Sequence, residues 1–171
     1  PNLLDVIYNM PDYVISAKNA QEDQPLSLKE VVALNPNTSK ITQLQILKNS
    51  KMNELKFLAL NESINQMIQK KLFEKNIDEI SLSLIKTNNY DESFIDDFLN
   101  NYTLKKELLK KAILDDKLFY KFFENIDDVS IIYLSSNDTL NEEMINKLFE
   151  KNIDNANINL LKNKNCPKDK I

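Results

Sequence analysis

Apolar residues recur along this chain at steps of three and four, in short runs separated by polar links. One set comprises Leu44/Leu47, Ile68/Leu72, Ile95/Phe98/Leu99, Phe119/Phe122/Phe123 and Ile145/Leu148/Phe149. A second set follows these: Leu55/Leu58, Ile80/Leu84, Leu108/Ala112, Val129/Ile132 and Ile158/Leu161. Such spacing puts the apolar side chains on one face of a helix, so the pattern predicts helices in consecutive pairs. Alternating runs such as Ile80–Leu84 fall where the pairing demands a helix, and no strand is expected. Residues 12–34 are the least regular, and Ala20–Pro25 reads as a loop.

The pairs repeat. Residues 71–78, Lys-Leu-Phe-Glu-Lys-Asn-Ile-Asp, recur unchanged at 147–154, 76 residues on, with a looser copy at 121–127. That offset is close to three repeats of about 26 residues, a length typical of stacked helical units. An Asn follows the apolar pattern at Asn9, Asn35, Asn61, Asn88, Asn137 and Asn163, with Asp115 filling one place. Six repeats result, at 9–34, 35–60, 61–87, 88–114, 115–136 and 137–162. A single short pair cannot bury its apolar face alone, so a solenoid of stacked neighbours is expected. Residues 1–171 read as one helical-repeat domain, regular over 30–171, and as a piece of a longer chain.

The punctuation between helices has a physical basis. Helices commonly end on a residue in the left-handed conformation, normally Gly, and Asn is the next-best residue for it. The chain contains no Gly. The recurring Asn is therefore expected to be that terminating residue, with Pro11 and Pro36 closing two of the helices. Thr38, Ser63, Asp91, Thr139 and Cys166 are expected to cap the first helix of a pair. Ser50, Asp78, Thr103, Asp127 and Asp154 are expected to cap the second. Ser63-x-x-Gln66 and Thr139-x-x-Glu142 fit the capping-box pattern.

Val32-Ala33-Leu34-Asn35-Pro36-Asn37-Thr38-Ser39 resembles the Asn-Pro-x-Thr-Pro hallmark of the leucine-rich repeat variant family, which are bacterial helical repeats of armadillo or HEAT type. Leu58–Ser63 and Leu161–Pro167 are weaker matches, and the resemblance spans residues 30–171. It implies an all-α fold: a right-handed α–α superhelix, armadillo-type, of about six short two-helix repeats, in which a 3₁₀ helix can be one member of a pair. The family pattern places Arg in the second helix, and this chain has no Arg. Some members carry an iron–sulfur cluster on a Cys-rich segment, which the single Cys166 cannot supply. No cofactor and no metal are expected.

Composition removes most catalytic apparatus. Without Gly there is no phosphate-binding loop, dinucleotide turn or nucleophile elbow. Without His there is no hydrolase triad of the usual kind and no HExxH zinc site. One Cys excludes an intrachain disulfide. No apolar run approaches the roughly 18 residues of a membrane span. No secretory leader opens the chain, so a cytoplasmic location is expected, with room for a targeting segment upstream of Pro1. Lysine in place of arginine, with abundant Asn and Ile, suggests an AT-rich bacterial coding sequence. Net charge is −4 with pI ≈ 5.0, which argues against a nucleic-acid partner.

Four acidic doublets, Asp96-Asp97, Asp115-Asp116, Asp127-Asp128 and Glu142-Glu143, sit at expected helix starts, where carboxylates complement the helix dipole. Glycosylation sequons beginning at Asn37, Asn61, Asn101 and Asn137 arise as a by-product of Asn and Ser/Thr caps. The candidate contacts are elsewhere. Lys105, Lys106, Lys110 and Lys111 form the densest basic cluster, with Lys106 and Lys110 one helical turn apart. Tyr90, Tyr102, Tyr120 and Tyr133 are the aromatic residues expected to reach the surface. Lys106, Lys110 and Tyr133 are the residues expected to bind a partner. These observations predict a non-catalytic scaffold for protein–protein interaction. Two alternatives stand beside it: a nucleic-acid-binding solenoid resembling the HEAT-like alkylpurine DNA glycosylases, and a toxin-neutralising regulator.

Overall fold

The computed structural model describes residues 2–12, 14–19, 22–124 and 126–170, with backbone alone for 14–19 and 22–25. The described residues are helical apart from one hairpin. In chain order they form α1 (Leu3–Tyr8), β1 (Val14–Asn19), β2 (Glu22–Ser27), α2 (Leu28–Leu34), α3 (Lys40–Asn49) and α4 (Met52–Ala59). Next come α5 (Gln66–Phe73), α6 (Asp78–Lys86), a 3₁₀ turn (Glu92–Phe94), α7 (Ile95–Asn100) and α8 (Tyr102–Lys111). The series ends with α9 (Asp116–Phe123), α10 (Asp128–Leu134), α11 (Glu142–Phe149), α12 (Asp154–Leu161) and a second 3₁₀ turn (Lys168–Lys170).

The antiparallel pairing of β1 with β2 corrects the expectation of no strand and of a loop at Ala20–Pro25; residues 20 and 21 themselves lie outside the described set. The pairing is irregular, with register shifts on both sides of Lys18. This segment lacks the helical apolar spacing that recurs along the rest of the chain. The 3₁₀ turns are confined to two three-residue segments, and the paired elements are α-helical.

The chain forms two compact parts, Pro1–Phe94 and Ile95–Ile171. In the first, α2 packs on α4 and α4 on α6, while α3 packs on α5 and on α4. Its core joins Val32 and Ala33 to Ile46, Leu55, Leu58, Ile68, Leu72, Ile80 and Leu84. In the second, α8 packs on α10 and α10 on α12, with α7 and α11 paired to α8 and α12. There Phe98, Leu108, Phe119, Ile131, Leu134, Ile145, Leu148 and Leu160 are buried. Most of the expected apolar positions face inward. The last two second helices do not follow the expected register: α10 buries Ile131 and Leu134, α12 buries Ala156 and Leu160, and Val129, Ile158 and Leu161 stand exposed.

Asn9 and Asn35 do end α1 and α2, but most of the recurring asparagines lack the expected left-handed conformation. Among the described residues only Asn76, Asn88 and Asn152 have positive φ, at 53, 52 and 53°. Of the expected set, Asn88 alone is left-handed. Asn35, Asn61, Asn137 and Asn163 instead use the side-chain carbonyl to accept the N–H two residues on, at 2.8–2.9 Å. Three of them also donate from Nδ2 to carbonyls 25–28 residues earlier in the chain. Asn61 reaches Ala33 O and Asn35 O at 2.9 and 2.8 Å. Asn137 reaches Leu109 O and Ala112 O at 3.0 and 2.9 Å, and Asn163 reaches Asn137 O at 2.9 Å. Asn89 adds the same bond to Asn61 O. A carboxamide is both donor and acceptor, so one side chain shapes its own turn and fastens it to an earlier one.

Helix starts shift accordingly. Ser39, Asn65, Asp115, Asn141, Asn101 and Asp127 are the side-chain caps of α3, α5, α9, α11, α8 and α10. Of the expected capping residues, Asp127 alone caps one of these helices, while Asp91 holds the turn at Glu92–Phe94 through the Ser93 N–H. Ser63 and Thr139 are drawn onto Asn61 and Asn137, so the expected capping boxes do not form. Capping boxes occur at Asn2/Asp5 and Ser27/Glu30.

Asn76 and Asn152 occupy the same place in the two identical octapeptides and have the same backbone. Both sit just before a helix whose first residue, Asp78 or Asp154, lacks a side-chain cap in front of it. Asn76→Ala is expected to cost about 1 kcal/mol, because alanine resists positive φ. Asn76→Gly is expected to be neutral or stabilising by a few tenths of a kcal/mol. Urea unfolding of both variants, repeated at Asn152, checks the pair of outcomes.

Candidate functional site

The three residues expected to bind a partner are brought together in the second part. α8 buries Leu104, Leu108 and Leu109 against its neighbours. Tyr102, Lys106 and Lys110, at steps of four, are thereby left on its outer side. α10 turns Ile131 and Leu134 inward, which swings Tyr133 toward α8. The ammonium groups of Lys106 and Lys110 lie 5.5 and 5.4 Å from the centre of the Tyr133 ring. Each such contact contributes about 0.5–1 kcal/mol at an exposed site. The hydroxyls of Tyr133 and Tyr102 are 2.7 Å apart, and their rings meet edge to face at 6.4 Å. The Tyr102 hydrogen bond raises the Tyr133 hydroxyl above its ordinary pKa, so the phenol stays neutral beside the two cations.

Exposed apolar side chains stand on the same series of helices. Tyr102 is 67% exposed, and Val129 on α10 and Ile158 and Leu161 on α12 are also exposed. Reading every helical apolar pair as core concealed these three residues. The alternative register, Ile131/Leu134 with Ala156/Leu160, was the signal for them. Tyr90 differs from Tyr102, Tyr120 and Tyr133: it packs half-buried against the core of the first part, and burial pushes its hydroxyl up to about 12.

Lys105 is engaged differently from Lys106 and Lys110. Its ammonium pairs with Asp127 at 2.8 Å, and Asp127 also accepts the Ser130 N–H as the cap of α10. The Lys105 hydrogen bond, followed by the Ser130 N–H, lowers the Asp127 carboxyl from 3.8 to about 2. A carboxylate held below its unfolded value contributes stability above pH about 4, lost as pH falls toward about 2. Asp127→Asn is therefore expected to reduce stability at neutral pH and to flatten the acid limb over that window. Urea midpoints measured from pH 7 to pH 2 for both proteins test this. The contribution is modest, since Lys105 is partly and Asp127 largely open to solvent.

The acidic doublets lie at the starts of α7, α9, α10 and α11, as expected, with Asp115 and Asp127 as caps. Asp96 pairs with Lys121, and Glu143 accepts the Tyr120 hydroxyl at 3.2 Å. Asp5 and Asp91 are lowered like Asp127, chiefly by side-chain hydrogen bonds from Ser39 and Ser93 respectively. These groups anchor helices as charged carboxylates. The amides of Asn61 and Asn137, 1% and 0% exposed, are inside the molecule and committed to backbone partners. Cys166 is buried, with its N–H bonded to Asn163 O, and burial pushes its thiol up.

A concave feature lies in the first part. α3 and α5 enclose a groove of about 500 Å³ lined by Leu44, Leu47, Lys48, Lys71, Glu74 and Lys75. The repeated octapeptide supplies three of these residues, and that repetition was the signal available in the sequence. The other three come from α3, whose approach only the fold reveals.

Among the described residues no group of three or more His, Cys, Asp or Glu side chains could hold a metal, and no helix is long and apolar enough to cross a membrane. A scan against models of known protein families, a search of curated proteins and a search of solved structures each found no match.

Proposed function

We propose that this chain is a non-catalytic helical-repeat protein, a scaffold for protein–protein interaction. On this reading its two-helix repeats stack as a right-handed solenoid of armadillo type, similar to the leucine-rich repeat variant family, in the cytoplasm. The asparagine ladder carries the proposal. Bonds from Asn61, Asn89, Asn137 and Asn163 join equivalent turns 25–28 residues apart. Repeats fastened turn to turn leave the outer positions of each helix free to vary. On α8 and α10 those positions hold Tyr102, Lys106, Lys110 and Tyr133. An aromatic residue with its conformation held by neighbours is the kind that anchors protein interfaces. The basic cluster gives nucleic acid weaker support, because Lys105 is paired with Asp127 and the chain is acidic overall. A toxin-neutralising role is the scaffold reading with a particular class of partner.

The test is affinity purification from extract of the native host, comparing the wild-type chain with Lys106→Glu/Lys110→Glu/Tyr133→Ala. A partner recovered with the first and lost or sharply reduced with the second is the expected result. Absence of any partner, together with turnover of a small molecule by the pure protein, overturns the proposal.

A further inference from the structure

We infer that the groove between α3 and α5 docks an acidic segment of a partner protein bearing an apolar anchor side chain; this rests on the scaffold reading. The argument comes from one sequence used in two surroundings. The octapeptides 71–78 and 147–154 are identical, and Lys71 and Lys147 occupy the same place in their repeats. In the second part Tyr120 precedes Lys147 by 27 residues and Phe123 precedes it by 24. Lys147 lies 5.7 Å from the Tyr120 ring centre, and Lys151 lies 4.6 Å from that of Phe123. Both cations there settle on aromatic faces. In the first part the same offsets, 27 and 24, place Leu44 and Leu47 before Lys71. Leucine has no π face to hold an ammonium, so the groove stays open.

Charge changes with it. Lys48 stands where the second part has Glu124, 27 residues before Lys75 and Lys151 respectively. The open groove thus carries Lys48, Lys71 and Lys75 against Glu74, in a protein of net charge −4. All three lysines are exposed, and among the described residues none has a carboxylate within ion-pair distance. Leu44 and Leu47 supply the apolar lining. Ile41, 71% exposed, precedes Leu44 by three residues, and the exposed Met67 precedes Lys71 by four, spacings that share a helix face.

This combination selects the occupant. An apolar lining flanked by unpaired cations complements a peptide that presents a large apolar side chain beside carboxylates. The volume lies within the roughly 300–1,000 Å³ of ligand sites, enough for a few side chains. A nucleic-acid strand would call for bases to stack, and none of the six lining residues is aromatic. An anionic membrane would meet the repulsion of an acidic protein beyond a single groove.

Selection of phage-displayed random peptides on the wild-type protein, with counter-selection on Lys48→Glu/Lys71→Glu/Lys75→Glu, tests the inference. Enriched sequences are expected to pair Asp or Glu with Leu, Ile, Phe or Met. A fluorescent peptide of the enriched sequence is expected to bind the triple variant about tenfold or more weakly. Leu44→Tyr, which installs the second part's ring beneath Lys71, is expected to weaken it too, and circular dichroism verifies that each variant is folded. Failure to enrich acidic peptides overturns the inference, as does binding indifferent to both variants. So does tighter lysine-dependent binding of an oligothymidylate strand or phosphatidylserine vesicles. If no acidic peptide is enriched while a native partner still co-purifies with the wild-type chain, the groove assignment alone falls and the scaffold reading stands.

Discussion

Asn137→Ala is expected to lower stability by about 3 kcal/mol, read as a shift of the urea midpoint at unchanged slope. The side chain is 0% exposed and makes four hydrogen bonds. Nδ2 donates to Leu109 O and Ala112 O, and Oδ1 accepts the N–H and hydroxyl of Thr139 at 2.8 and 2.7 Å. Alanine removes all four and leaves buried backbone groups without partners, each costing about 1–3 kcal/mol. Ala112 O retains the Thr139 hydroxyl, which limits the loss. Asn137→Asp is expected to cost more than alanine at neutral pH. A carboxylate cannot donate, so it would face two carbonyls as a buried charge. Such a group has its pKa raised, and the variant should regain stability as pH falls and the carboxyl is protonated. A change below about 1 kcal/mol for Asn137→Ala would mean that the ladder does not hold the repeats together.

Leu160→Ala should destabilise by about 3 kcal/mol, while Leu161→Ala, one residue away, should cost less than about 1 kcal/mol. The chemistry of the two substitutions is the same. Leu160 is fully buried beneath α12 and Leu161 is exposed, so only the first leaves a cavity. The apolar pattern alone, which paired Ile158 with Leu161, predicts the reverse order. Ile131→Ala and Val129→Ala repeat the contrast on α10, with about 2–5 kcal/mol expected for the buried residue. Thermal or urea unfolding of the four variants decides between the two registers. Equal costs at Leu160 and Leu161 would place α12 in neither.

The paired helices were legible because apolar spacing responds to a single requirement, one buried face per helix. In α5, Ile68 and Leu72 meet it without competition. In α10 and α12 the pattern is degenerate: Val129/Ile132 and Ile131/Leu134 both have helical spacing, as do Ile158/Leu161 and its neighbours. Periodicity cannot choose between two apolar stripes, and contact with the adjacent helix does. The hairpin at β1 and β2 escaped for another reason: its residues lack clean alternation and no repeat governs them. Lys106, Lys110 and Tyr133 were singled out separately, as a basic cluster and a surface aromatic. That Tyr133 lies beneath both ammonium groups depended on the packing of α8 against α10.

The sequence by itself determined the helical pairs and the importance of Asn between them. Both follow from local geometry and a spacing that can be counted. Tertiary structure alone decided what most of those asparagines do. A left-handed cap needs only its own helix, whereas Nδ2 of Asn61 or Asn137 needs a carbonyl 28 residues earlier in the chain. The same holds for the lysines of the identical octapeptides, which rest on rings in one part and line an open groove in the other. Their difference is set by the preceding helix, because a side chain's partner is chosen by what the fold brings against it.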